Sequence, residues 1–142
     1  MLMKNTELED DINNLYKQVE KYTAFKWRLY RRNYWTNVIL IVVSIVVSVL
    51  VTVVGLCGKS ELSPFLGALL TIIISLQAAF NFSERADFYL NIHTEAKALR
   101  DNVKYKVKSQ DDLFDSVDAL GALRKKASVE LPKGKGMKAI KT

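Results

Sequence analysis

Two long uncharged blocks dominate the pattern of polar and apolar positions. No Asp, Glu, Lys or Arg occurs from Asn33 to Gly58, and none from Leu62 to Ser83. A helix in water needs a polar face, and neither block has one, which excludes an ordinary soluble globular domain. The first block, Thr36 to Cys57, holds 15 Val, Ile or Leu in 22 residues. As a helix it rises about 33 Å, against a hydrocarbon core of about 30 Å. Its β-branched residues favour strand in water. In lipid a lone strand leaves its backbone unpaired, so helix wins, and the alternation of a barrel strand is absent. The block starts too far along the chain, and is too long, for a secretory signal core. The second block opens with Ser63-Pro64, a capping residue followed by one that suits the first helical turn. The connection over 58–62 is short, so the two spans must be antiparallel neighbours.

Charge at the span ends sets the orientation. Lys26, Arg28, Arg31 and Arg32 precede the first span, and Arg85, Lys97 and Arg100 follow the second. The loop between them offers only Lys59. Both termini are therefore expected on the cytoplasmic side. Tyr34 and Trp35 sit where an aromatic belt anchors a span, and Arg28, Arg31, Arg32 and Arg85 complete the interface set.

The helices need not end at the lipid surface, because no Gly or Pro occurs from Met1 to Val54 or from Ala68 to Leu120. Leu8, Ile12, Leu15, Val19, Tyr22 and Leu29 form a heptad-like stripe interrupted at Lys26. Phe88, Ile92, Ala96, Leu99, Val103 and Val107 recur every three or four residues after the second span. These stripes can pack on each other or on neighbouring subunits. Ser109 with Asp112 predicts a capped third helix, carried by Leu113, Val117, Leu120 and Leu123 or Arg124 and weakened by Gly121. The fold class is thus an all-α membrane protein, a two-span antiparallel helical hairpin with long cytoplasmic extensions and a short C-terminal helix. Its expected segments are a cytoplasmic helix over 6–33, spans over 36–57 and 63–83, and the outer loop 58–62. A returning helix follows over 84–108, then a short helix over 110–128. The basic tail 129–142 is either solvated or drawn to anionic headgroups.

The net charge of +6 implies no nucleic-acid partner, since the basic residues flank spans or lie in the tail and no nucleic-acid motif surrounds them. One Cys (Cys57) and one His (His93) exclude an intrachain disulfide and a multi-His metal site. No phosphate loop, His-Glu-x-x-His or Gly-x-Ser-x-Gly occurs. No cofactor and no enzymatic activity are expected. His93 lacks a nucleophile to serve and reads as a hydrogen-bonded packing residue. Cys57 is either a small hydrophobe or a link to a second copy.

Inside the spans, Ser44, Ser48 and Thr52 repeat every four residues, as do Gly67, Thr71, Ser75 and Ala79. Such stripes serve helix packing or line a pore. Gln77 and Asn81, four apart, share a face. Asn81 is expected at the depth of Asn37, so that an Asn37–Asn81 hydrogen bond satisfies both amides. The alternative places Gln77 and Asn81 in a water-filled lumen between subunits.

The layout, with KWRLYRRNYW entering the first span and SERADFYLNIHTEAKALRDNV leaving the second, resembles the SLATT families, two-span effectors of bacterial conflict and antiviral defence systems. His93, Ala96, Leu99 and Arg100 stand where that family carries its post-span motif, and the likeness covers roughly Glu7 to Lys108 by the stripe boundaries. The resemblance implies an oligomeric pore-forming effector of the inner membrane. Its partners would be the lipid bilayer, further copies of the chain, and a nucleotide-signalling enzyme or sensor protein. The alternative is a non-conducting anchor that recruits a cytoplasmic partner.

Overall fold

The computed structural model describes residues 2–58 and 60–132, with side chains over 6–58 and 61–132. Lys59 of the loop and the basic tail beyond 132 lie outside the described residues. Among the described residues the chain is helical throughout: α1 (Leu2–Leu56), a single 3-10 turn (Ser60–Leu62), α2 (Ser63–Phe80), α3 (Phe82–Tyr105) and α4 (Gln110–Val129). The described residues divide into two compact units, 2–30 with 87–131, and 31–58 with 60–86 and 132.

The first unit is a three-helix bundle. The start of α1 contributes Leu15 and Val19, α3 contributes Ile92, Leu99 and Val103, and α4 contributes Leu113, Leu120, Leu123 and Ala127. Leu8, Ile12, Tyr16, Tyr22, Phe88 and Val107 pack around this core. The two stripes read from the sequence therefore meet within one chain, and the third helix completes the core rather than standing apart from it. Burying three faces together is what allows helices of modest amphipathicity to persist, since packing contributes more than propensity.

α4 starts as expected. The Ser109 hydroxyl accepts from the Asp112 amide at 3.2 Å, and the Asp112 carboxylate accepts from the Ser109 amide at 3.0 Å. Hydrogen bonding from the Ser109 side chain, and then from the Lys108 amide at 3.1 Å and the Ser109 amide, holds the Asp112 carboxyl below the usual carboxylate range. The buried face of α4 differs by one position from the expected stripe. Ser116 is buried and Val117 exposed, because the Ser116 hydroxyl donates back to the Asp112 carbonyl at 2.8 Å and so satisfies itself inside the bundle. Gly121 lies in mid-helix, and a Cβ added there meets nothing within 4 Å. Gly121→Ala is expected to stabilise the unit by about 0.5–1 kcal/mol, read as a higher urea midpoint with unchanged slope.

Lys26 interrupts the α1 stripe yet is buried, at 7% exposed. Its ammonium lies 4.9 Å from the Tyr22 ring centre, 5.5 Å from Tyr89 and 5.8 Å from Phe25. Aromatic faces attract a cation but replace its hydration incompletely, and burial lowers its pKa from the ordinary lysine value. The unfolded chain therefore holds this proton to higher pH than the folded one, so stability rises as pH climbs from the folded pKa towards the unfolded one. Lys26→Met is expected to stabilise the bundle by about 1 kcal/mol at neutral pH. Denaturant melts at neutral and alkaline pH should show that the variant lacks this component of the pH dependence.

The second unit contains the remainder of α1, the connection and α2. Gly58 takes φ +72°, a conformation that glycine adopts freely. Pro64 occupies the first turn of α2, as expected, but the cap position is Leu62, with no side-chain bond. The stretch Thr6–Leu56 within α1 and the stretch Ser63–Tyr105 each contain a segment long and apolar enough to cross a membrane.

Candidate functional site

The apolar halves of α1 and α2 hold the residues that the sequence singles out. Val47 and Ile73 are the buried apolar residues of these segments. Leu40, Ser44, Val51 and Val54 on α1 and Leu66, Gly67, Leu70 and Gln77 on α2 are half-buried. Together these give inward rows spaced three or four residues apart, the spacing of helix packing. Almost everything else is exposed, including Ile39, Val42, Ile45, Val46, Val49, Val53, Phe65, Ile72 and Ile74.

Most residues of the hydroxyl stripes lie outside that inward face. Ser44 is half-buried, whereas Ser48, Thr52, Thr71, Ser75 and Ala79 are exposed. Ser44 donates to the Leu40 carbonyl at 2.7 Å, Thr52 to Ser48 at 3.1 Å and Thr71 to Gly67 at 2.9 Å. Hydroxyls bonded back to the preceding turn are satisfied without water, so the segments remain compatible with lipid. A shallow groove lined by Ser44, Ile45, Ser48, Val49, Leu70 and Ile74 runs along this unit.

Gln77 and Asn81 have different environments. The Gln77 Nε2 is buried with no hydrogen-bond partner among the described residues. An unsatisfied buried amide costs about 1–3 kcal/mol. Asn81 ends α2 in the left-handed region, at φ 50° and ψ 47°, which Asn tolerates better than most residues. The backbone ladder closes on both sides of it, from the Asn81 amide to Gln77 at 3.1 Å and from the Arg85 amide to Asn81 at 3.1 Å. Its side chain donates to the Glu84 carboxylate at 2.5 Å. The expected Asn37–Asn81 bond is thus replaced by a local one, and Asn37 is half-buried. The regular helical face expected for Gln77 and Asn81 is interrupted by this residue. A left-handed Asn between two helical runs leaves no periodic trace, which is why the sequence reads as unbroken.

At the ends of the apolar segments, Tyr34 and Trp35 are exposed and stack edge to face at 5.9 Å. Arg28, Arg31 and Arg32 are exposed, and the Arg85 Nε donates to the Pro132 carbonyl at 3.2 Å. Cys57 is exposed as a free thiol. Among the described residues no cluster of His, Cys, Asp or Glu is arranged to hold a metal.

His93 lies in the first unit, where its Nδ1 is 3.1 Å from the Thr23 carbonyl. A carbonyl can only accept, so this contact assigns the proton to Nδ1. Its ring also packs on Trp27, with centroids 5.0 Å apart. No family model, curated protein or solved structure matches the chain.

Proposed function

We propose that this chain is an integral membrane protein that crosses the bilayer twice as an antiparallel hairpin, with its three-helix unit in the cytoplasm. Several copies assemble in the inner membrane and permeabilise it when a partner or a small-molecule signal acts on the cytoplasmic helices. The carrying observation is a contrast in burial. The first unit closes its own apolar core, whereas the uncharged segments of α1 and α2 leave nearly all of their apolar surface exposed. In water such a surface is untenable, and in lipid it carries little penalty. The exposed Ser48, Thr52, Thr71 and Ser75 supply the close-approach surface through which copies pack. One hairpin encloses no lumen, so conduction requires several. The role in bacterial defence rests on the likeness to SLATT effectors.

The test is the native mass in mild detergents followed by ion efflux from liposomes. Four or more copies together with efflux support the effector. A monomer or dimer across detergents, with no efflux under any trigger, favours the second reading, a membrane anchor that presents the cytoplasmic unit to a partner. The self-contained core of that unit is what recommends the anchor.

A further inference from the structure

The first unit carries an open pocket of about 390 Å³, lined by Glu20, Thr23, Ala24 and Trp27 of α1 and by His93, Lys97 and Arg100 of α3. That volume lies within the range of small-molecule sites, roughly 300–1,000 Å³. Its lining follows from helical spacing. Residues 20, 23, 24 and 27 share one face of α1, and 93, 97 and 100 share one face of α3. Two chemistries are segregated along it. At one end the Trp27 ring contacts His93 at 5.0 Å and Tyr30 at 5.1 Å, and Trp27 is 43% exposed, leaving part of its aromatic surface open. Further along α3 come two cations, four and seven residues past His93, the second about 10 Å along the helix axis.

The polar groups here differ in what they leave free. The Thr23 hydroxyl donates to the Val19 carbonyl at 2.8 Å, and the Thr23 carbonyl accepts from His93 Nδ1 at 3.1 Å. Arg100 bonds Asp101 through Nε at 3.1 Å and one terminal nitrogen at 2.9 Å, which leaves the other donors of its fork. Lys97 is exposed and has no ion-pair or hydrogen-bond partner among the described residues. Ala24 adds only a methyl group to the lining. Glu20 lies close enough to Arg100 to act on its charge, so one carboxylate partly balances two cations.

We propose that this pocket binds a planar-ringed phosphate, of which a nucleoside monophosphate is the simplest form, with its ring against Trp27 and its phosphate held by Lys97 and Arg100. An aromatic plate recognises a flat ring through its π face, and paired cations recognise a phosphate through charge-assisted bonds. Neither recognises the other half of the ligand, so both together define the class. Binding here requires neither conduction nor a bilayer, so the failure of this assignment and the failure of the pore reading are separate results.

The test uses the full chain in detergent, titrated by calorimetry with GMP, guanosine and inorganic phosphate. A Trp35→Phe background leaves Trp27 as the only tryptophan and makes its fluorescence a second readout. GMP is expected to bind one per chain and quench Trp27, with guanosine and inorganic phosphate each weaker by about tenfold or more. Lys97→Ala removes an exposed side chain, so the fold is retained. It should weaken GMP binding about tenfold, and Lys97→Arg should restore it. The assignment is overturned if GMP shows no saturable binding up to millimolar concentration. It is equally overturned if Lys97→Ala binds GMP unchanged, or if inorganic phosphate matches GMP.

Discussion

Ile92→Ala is expected to loosen the three-helix unit by about 2–5 kcal/mol. Ile92 is completely buried, and among the described residues it is the largest side chain to be so. It belongs to the core that α1, α3 and α4 share, so its deletion leaves a cavity that all three helices line. At about 1.4 kcal/mol per tenfold, the unit should open roughly thirtyfold more often at the lower limit. Amide hydrogen exchange locates the effect. The α4 amides, Gln110–Val129, should lose protection together, because α4 is held by the face that Ile92 helps to form. The amides of α2 should be unaffected, since α2 belongs to the other compact unit. Uniform loss across both units would contradict this division, and unchanged α4 exchange would contradict the shared core.

A pair of arginines on the outer surface of α1 should have the second large effect. Val46 and Val49 are 51% and 56% exposed and lie three residues apart on one face. On a helix in water, replacing an exposed Val by Arg is close to neutral. At the centre of a membrane span each Arg costs about 2.5–3.5 kcal/mol. The 15 Val, Ile and Leu of the segment contribute at most about −5 to −9 kcal/mol in total. One Arg should therefore leave insertion intact, and Val46→Arg with Val49→Arg should largely abolish it. Carbonate extraction of membranes separates the outcomes, with the single variant remaining in the pellet and the double moving to the supernatant. If the double variant stays in the membrane fraction as firmly as the native chain, this surface does not face lipid.

Legibility in the sequence followed the periodicity. Leu15, Val19, Ile92, Leu99 and Val103 were readable as core because a three-four spacing admits one buried face. The α4 start was readable because Ser109 and Asp112 form a local motif whose partners are three residues apart. What the residues alone leave open is which faces meet. The same stripes serve intrachain or intersubunit packing equally well, and only three-dimensional placement brings α4 onto α1 and α3. Lys26 illustrates the limit. A lysine in a heptad position reads as an interruption, yet Tyr22, Phe25 and Tyr89 cover it, and one of these comes from a helix more than sixty residues away. The break at Asn81 was hidden for a different reason. It depends on one backbone dihedral that Asn permits but does not require. The pocket at Trp27 was invisible because its two cations and its aromatic plate belong to different helices. His93, Lys97 and Arg100 were each noted in the sequence, the first as a packing residue and the cations as charge beyond the second span, but nothing there placed them beside Trp27.

The most direct measurement is thiol labelling of Cys57 with a membrane-impermeant maleimide in intact spheroplasts expressing the full chain. Cys57 is the sole cysteine and its thiol is exposed just after α1. In a two-span hairpin with a cytoplasmic three-helix unit, that position lies on the outer face. Labelling without permeabilisation is the expected result, with a cysteine introduced at the exposed Asp118 in a Cys57→Ser background labelled only after the membrane is opened. Cys57 labelled only after permeabilisation, or Asp118→Cys labelled in intact spheroplasts, would contradict the two-span arrangement.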